Sequence, residues 1–362
     1  MIKRAAIILS GGKGRRFQDR GKKWKDKALA EFSGKPLLVH AILNVKNVAD
    51  QVIVSVNDEE RKAVYSQVLK DQHLTDIEIV VDQAVSHISG PNVAIMSGLR
   101  AIQADYCLVL PSDMPFLQSR VAEYLFEVAC GFDVAVPMWP NGRLETLLMV
   151  LRRQIGLEIT ETLCKLKRPR SDDLPRGASK TILVSPVSRI KTLDPDLKSF
   201  ININSEEDLV RLRTRHALGP VTENLKLDLG TLAIPNLHLL QEGAQMLQKG
   251  SFSEAQGVFG QCAKSFEAKN SLFWEALSFE NQGEALLKLS GLQTESKPAT
   301  EFDFAGKEAF LRAANCYRLE EETYDDKNCR LLAERALADK AWCESWAMGK
   351  AGHVHRYPSK VG

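Results

Sequence analysis

Six short apolar runs punctuate the first two hundred residues: Ala5–Leu9, Gln51–Val56, Ile77–Val81, Tyr106–Leu110, Val134–Pro137 and Leu147–Leu151. Between them lie stretches of helical periodicity such as Pro36–Val45, Glu59–Leu69, Val93–Ala104 and Gln118–Ala129. Strands that alternate with helices must be joined by crossovers, so the spacing predicts an α/β layer with a Rossmann-like, mostly parallel sheet. The runs are continuously apolar rather than alternating, which fits strands covered on both faces. In such a sheet the loops after the strands form the ligand edge.

The first of these loops carries the strongest chemical signal. Ala5–Leu9 breaks into Ser10-Gly11-Gly12-Lys13-Gly14-Arg15-Arg16. Glycines let backbone amides approach a ligand without a Cβ in the way, and a following helix start favours anions. No glycine is followed by Lys and then Ser or Thr at P-loop spacing, and Phe17 stands where a dinucleotide fingerprint needs its third glycine. A phosphate cradle outside both patterns remains, beside the simpler reading of a strand-to-helix turn.

Charge supports the cradle. The chain of 362 residues has a net charge of only +2, yet residues 1–35 hold eleven Lys or Arg against three acids. So local an excess reads as an anion site and not as a nucleic-acid surface. Lys22, Lys23 and Lys25 read equally well as a solvated face. The seven cysteines form no C-x-x-C pair, which argues for reduced thiols in the cytoplasm and against a disulfide frame or zinc site. Neither a run of transmembrane length nor a signal-peptide pattern is present.

Two further segments carry chemistry. Leu108-Val-Leu-Pro-Ser-Asp113-Met-Pro115 ends a central strand in a carboxylate, suited to Mg²⁺ on nucleotide phosphates or, as readily, to capping a turn. Phe200-Ile-Asn202-Ile-Asn204-Ser205 alternates, which predicts a strand with both amides on one face, followed by a helix capped by Ser205. Those amides could complete a metal site, hold a phosphate, or bond to backbone. A second basic stretch, Lys165 through Arg170 and Arg176 to Lys180, reads as a loop for an anionic acceptor or as a solvated surface loop. His40, His73 and His87 read as surface or structural.

Beyond residue 217 the pattern changes. Residues 218–235 read as a linker punctuated by Gly219-Pro220, Gly230 and Pro235, and 236–350 read as an all-α helical-repeat domain, with 351–362 as a tail. Gly243, Ala255 and Phe259 match the small, small and aromatic positions of a tetratricopeptide unit. Ser251-x-x-Glu254 has the form of a capping box. A second unit starts near Ser271, its return helix lies around Ala309 to Tyr317 after a polar insertion, and a last helix spans about Asp326 to Met348. Such a module suits a protein partner.

Taken together, Leu9-Ser-Gly-Gly-Lys-Gly-Arg-Arg-Phe, Asp26-Lys27-Ala-Leu, Phe32-Ser-Gly-Lys-Pro-Leu-Leu, Pro-Ser-Asp113-Met-Pro and Phe200–Leu209 resemble molybdenum cofactor guanylyltransferase and its nucleotidyltransferase relatives. The resemblance covers about residues 4–213 and implies a MobA-like domain over 1–217. It implies that Leu9, Ser10, Gly11 and Gly12 hold the nucleoside of GTP and that Arg16 and Lys27 neutralise the triphosphate. It further implies that Asn57, Asp82 and Gly90 contact the nucleotide, and that Asp113 binds Mg²⁺ with Asn202 or Asn204. Glu145, Arg170 and Lys180 are the candidates it leaves for the acceptor, molybdopterin or another anionic phosphate. The implied reaction is GMP transfer with release of pyrophosphate. CTP-dependent pterin, sugar phosphate or cobinamide phosphate transfer, or an adaptor acting through its repeats, are the rival readings. The chain departs from the pattern in three places: the extra basic residues from Arg20 to Lys25, Phe17 in place of methionine, and Asn92-Val-Ala94 after Gly90-Pro91.

Overall fold

The computed structural model describes residues 2–12, 26–83, 85, 88–205, 208, 219–291 and 301–349. The chain divides into two compact units. The first is Met1–Pro140 with Leu144–Pro175 and Lys180–Leu227; the second is Asn141–Arg143 and Arg176–Ser179 with Asp228 onward.

In the first unit the strands are β1 (Arg4–Leu9), β2 (Glu31–Phe32), β3 (Lys35–Pro36), β4 (Gln51–Val56), β5 (Glu78–Val81), β6 (Tyr106–Pro111), β7 (Val134–Pro137), β8 (Met149–Arg152), β9 (Lys180–Val184) and β10 (Leu225–Asp228). β2 and β3 form a small ribbon; the others make one sheet in the order β10-β9-β7-β8-β6-β1-β4-β5. β1 is parallel to both β4 and β6, and β5 is parallel to β4. β8 runs antiparallel to β6 and to β7. The mostly parallel α/β expectation therefore holds.

Helices α1 (Leu37–Val45), α2 (Glu59–Asp71), α3 (Pro91–Ala101), α4 (Ser119–Ala129) and α5 (Arg153–Lys165) cover the sheet. Alternation decides the faces. Ala6 and Ile8 point into a core shared with Leu38, Ile42, Tyr65 and Phe126 of α1, α2 and α4. Ile7 points the other way, against Gly98 of α3, where an added Cβ would stand 2.8 Å from its side chain. Ala5 to Ile8 are all fully buried, as strands covered on both faces require.

Three local expectations need correction. Residues 201–204 form no strand: Ile201 is extended and both isoleucines are buried beside Leu37, but the segment joins no ladder among the described residues. The expected linker supplies β10, the edge of the sheet. The stretch Lys165–Lys180 is not a solvated basic loop either. Arg168, 1% exposed, makes a bidentate pair with Asp173, and Arg170 pairs with Asp172.

The second unit is helical: α6 (Ile234–Lys249), α7 (Phe252–Glu267), α8 (Leu272–Gly291), α9 (Glu301–Asp325) and α10 (Arg330–Ala347). Gly250 ends α6 in the left-handed region at φ 85°, and the Ser251 N–H returns to Met246 O at 3.0 Å. Ser251 starts α7 without a side-chain cap, so the expected capping box is not formed. Gly243 packs on Phe259, whose ring would lie 2.8 Å from a Cβ there. The helices differ in length, at 16, 16, 20, 25 and 18 residues. At the centre of this unit Arg176 is fully buried. Its guanidinium donates twice to Glu320 and once to Asp339, each at 2.8 Å, and lies over Phe273. No described helix is long and apolar enough to cross a membrane.

Candidate active site

Parallel pairing brings the ends of β1, β4, β5 and β6 to one edge. Leu9 is in register with Ser55 and with Pro111, and Val56 with Val81. The ladder runs one step further, through Ser10 N–H to Ser55 O at 2.9 Å and Ser112 N–H to Leu9 O at 3.0 Å. Residues 10, 57, 82 and 113 thereby leave neighbouring strands on the ligand side.

Gly11 is the point of close approach. A Cβ there would sit 3.5 Å from Asp82 Oδ2 and 3.6 Å from Asn57 Cβ, so the loop faces both residues. Gly12 has no described atom within 4 Å of such a position. The Ser55 hydroxyl donates to Asp82 Oδ1 at 2.5 Å and also lies 3.4 Å from Ala94 O in the first turn of α3. Burial pushes the Asp82 carboxyl up to about 6, with the Ser55 hydrogen bond and the Arg61 charge opposing. Gly90 caps α3 at φ 154°, and Pro169 would lie 2.8 Å from a Cβ there, so only glycine fits. Asn92, fully buried, holds the same neighbour: its Nδ2 donates to Arg168 O and Arg170 O.

The second cluster is cationic and acidic at once. Asp26 caps the short turn Lys27–Leu29, its Oδ1 accepting the Ala28 N–H at 3.1 Å. From that turn Lys27 Nζ reaches Asp113 Oδ2 at 2.5 Å and Asn204 Oδ1 at 2.9 Å. The Ile203 N–H donates to Asp113 O at 3.0 Å, fastening the asparagine segment to the end of β6. Ser205 Oγ then accepts the Asp208 N–H, while Asp208 Oδ2 accepts from Asn204 and Ser205.

Asp113 Oδ1 and Asn202 Oδ1 are buried acceptors with no hydrogen-bond partner among the described residues. Buried acceptors left this way are rare unless something completes them. Hard oxygens beside a lysine ammonium suit a divalent cation of the Mg²⁺ kind. Only one of the donors is a carboxylate, and no group of three His, Cys, Asp or Glu forms a metal site by itself among the described residues. Such an ion would complete its sphere with phosphate oxygens and water.

Other predicted residues fall differently. Arg16 lies outside the described residues, as do the remaining basic residues from Lys13 to Lys25 and His87. Glu145 Oε1 accepts the Trp139 indole N–H at 2.7 Å. Arg170 is turned onto Asp172. Lys180 opens β9, which runs parallel to β7, and so stands at the edge of the sheet opposite to Leu9. We leave it out of the site.

Four residues of the site were not singled out from the sequence. Arg61 donates to Ser10 O at 2.9 Å and Asn57 Oδ1 at 2.8 Å, and its Nε lies 3.1 Å from Asp26 Oδ2. Tyr65 donates to Asp26 Oδ2 at 3.0 Å and shares a hydrogen bond with Ser10 Oγ. Ser55 and Ser112 complete the set. Their one sequence signal is the i, i+4 spacing of Arg61 and Tyr65, which puts both on one face of α2.

Residues 6–171 match the model of the MobA-like NTP transferase domain. A probable molybdenum cofactor guanylyltransferase of Methanosarcina acetivorans is 37% identical over 208 residues, covering 57% of this chain and 88% of the relative. Its counterpart from Methanosarcina mazei is 34% identical over 206 residues, with 57% and 88% covered. Among solved structures, molybdopterin-guanine dinucleotide biosynthesis protein A of Archaeoglobus fulgidus aligns with a TM-score of 0.46 at 24% identity, over 57% of this chain and 95% of that one.

Proposed function

The chain belongs to the MobA-like NTP transferase family and is a nucleotidyltransferase, and on that premise we propose that it transfers GMP from GTP to the phosphate of molybdopterin. An acceptor phosphate oxygen bonds to the α-phosphorus, the bond from that phosphorus to the β-phosphate oxygen breaks, and pyrophosphate leaves. The observation that carries this reading is the meeting of Lys27, Asp113 and Asn204 at the strand edge, with Asp113 Oδ1 and Asn202 Oδ1 left without partners among the described residues.

Transfer of this kind rests on alignment and charge neutralisation more than on a general base. Backbone groups of Leu9 to Gly12 hold the nucleoside, with Asn57, Asp82 and the Gly90 turn around the base. The ionised Asp82 carboxylate accepts N–H donors that guanine presents and cytosine arranges differently. Lys27, and Arg16 by the family resemblance, would neutralise the triphosphate. Asp113, with Asn202 or Asn204, would hold Mg²⁺, which when bound neutralises phosphate oxygens as a Lewis acid. Residues 1–217 form the transferase domain in this proposal, and residues 236–350 a module, related to tetratricopeptide repeats, for a protein partner. None of the seven cysteines is in a disulfide, which suits a cytoplasmic enzyme.

The test is pyrophosphate release from each of the four nucleoside triphosphates, with and without molybdopterin, with Asp113→Ala as control. GTP turnover that needs molybdopterin and Mg²⁺ and is lost in the variant is the expected result. Turnover with CTP alone would replace the guanine assignment. Absence of turnover with every nucleotide would overturn the enzymatic reading.

A further inference from the structure

Lys27 reaches the reacting phosphates only if its turn is held, and the turn's own backbone bonds, Leu29 N–H to Asp26 O and Ala30 N–H to Lys27 O at 3.1 Å each, do not anchor it to the rest of the site. Lys27–Leu29 is a single turn of three residues with Ala28 as its one buried member. Its fixed point is Asp26. One carboxylate oxygen caps the turn, and the other takes the Tyr65 hydroxyl at 3.0 Å and the Arg61 Nε at 3.1 Å. Both partners belong to α2, which is itself pinned at the end of β4: Asp58 Oδ1 accepts the Arg61 N–H at 2.7 Å, and Glu59 and Glu60 occupy the first turn.

The same two side chains also grip the nucleoside loop. Arg61 donates to Ser10 O and to Asn57 Oδ1, and Tyr65 shares a hydrogen bond with Ser10 Oγ, which reaches Ser112 Oγ at 3.1 Å. Arg61 is only 9% exposed, and Tyr65 is fully buried. Burial, reinforced by the negative charge of Asp26, holds the Tyr65 phenol well above its ordinary range, so it remains a donor at neutral pH. A buried, mutually satisfied network of this kind has one geometry, and departures from it strand a charge or a donor.

We infer that Arg61 and Tyr65 are positioning residues that act through Asp26 to set Lys27 against the transferred phosphate. The inference rests on the transferase reading above. A lysine cannot stand in for Arg61, because a single ammonium cannot span Ser10, Asn57 and Asp26 as the planar fork does. Misplacement of a charge-neutralising group by a fraction of an ångström to an ångström costs about 10- to 100-fold in rate.

The experiment is a double-mutant cycle on the full chain with GTP, Mg²⁺ and acceptor. Tyr65→Phe and Arg61→Lys are expected to lower kcat at least about 10-fold while KM for GTP changes less than about threefold. Asp26→Asn, which keeps a capping side chain, is expected to behave as they do. In a Lys27→Ala background each change is expected to cost less than about twofold more, since the group it positions is gone. Losses that multiply in full in that background, or a Tyr65→Phe enzyme with unchanged kcat, would overturn the inference. If wild-type protein turns over no nucleotide, the transferase reading fails on its own. The same cycle read by GTP-induced thermal stabilisation then decides the positioning role: coupling to Lys27 supports it, and additivity refutes it.

Discussion

Asp82 is a carboxylate kept in the wrong solvent, and replacing it with asparagine should stabilise the fold while weakening the nucleotide site. Its carboxyl lies beside Gly11 and accepts the Ser55 hydroxyl, and burial lifts it from 3.8 to about 6 despite that hydrogen bond and the Arg61 charge. That displacement corresponds to about 3 kcal/mol of preference for the neutral form. Because the group keeps some contact with solvent, ~1–2 kcal/mol is the realistic share. The sign follows from linkage. Between pH 3.8 and about 6 the folded state holds a proton that the unfolded chain has released, so stability falls as pH rises through this window and levels off above it. An asparagine in its place cannot ionise, and the amide oxygen can still accept from Ser55. The melting temperature of Asp82→Asn should therefore match wild type near pH 4 and exceed it by about 3–6 °C at pH 7.5. GTP affinity should move the other way, falling about 10- to 100-fold for loss of a charged acceptor. Thermal unfolding from pH 4 to 8, with and without GTP, reads both. A variant less stable than wild type at pH 7.5, or an advantage that does not grow with pH, would refute the idea that desolvation governs this carboxyl.

Asp113→Asn is expected to lower turnover at least about 100-fold, and a chelator should abolish wild-type turnover until Mg²⁺ is restored. Pyrophosphate release measures both. Arg176→Ala removes the cation between Glu320 and Asp339 and should cost about 3–5 kcal/mol, because two buried carboxylates lose their partner; the urea midpoint of the full chain reports it. Gly98→Ala drives a Cβ to 2.8 Å from the Ile7 side chain, which is buried and stiff at χ1. Overpacking there should outweigh the gain in helix propensity and cost about 1–2 kcal/mol in denaturant unfolding. Gly257→Ala in α7 has no described atom within 4 Å to meet and should instead stabilise by about 0.5–1 kcal/mol.

What could be read from the sequence was whatever is written locally. Ala5–Leu9 with its glycines, the Asp113 turn after β6, and the alternation of Ile201 and Ile203 each state their position within a few residues. Gly11 faces Asp82, and Asp113 meets Lys27. Even the misassigned strand kept its logic: Ile201 and Ile203 are buried, leaving Asn204 for Lys27 and Asn202 partly exposed, although no ladder forms.

The misreadings share one physical cause, which is that a charge does not announce its partner. Lys165–Lys180 looks like a basic loop because its cations are adjacent in sequence, whereas the groups that neutralise Arg176 lie 144 and 163 residues further on. For the same reason Arg61, within the helical stretch Glu59–Leu69, was not singled out: it is turned inward by partners at Ser10, Asp26 and Asn57. A basic residue within a turn or two of an acid therefore says little about whether it is free to meet a ligand. Lys27 is the instructive case: it too is paired, with Asp113, but its partner belongs to a cluster in which two buried oxygens still lack a donor among the described residues. Arg168 is held by Asp173 and Arg176 by Glu320 and Asp339, so their burial needs no ligand to explain it. The cluster at Lys27 differs in keeping Asp113 Oδ1 and Asn202 Oδ1 without a donor among the described residues, and the proposed divalent cation rests on those two atoms.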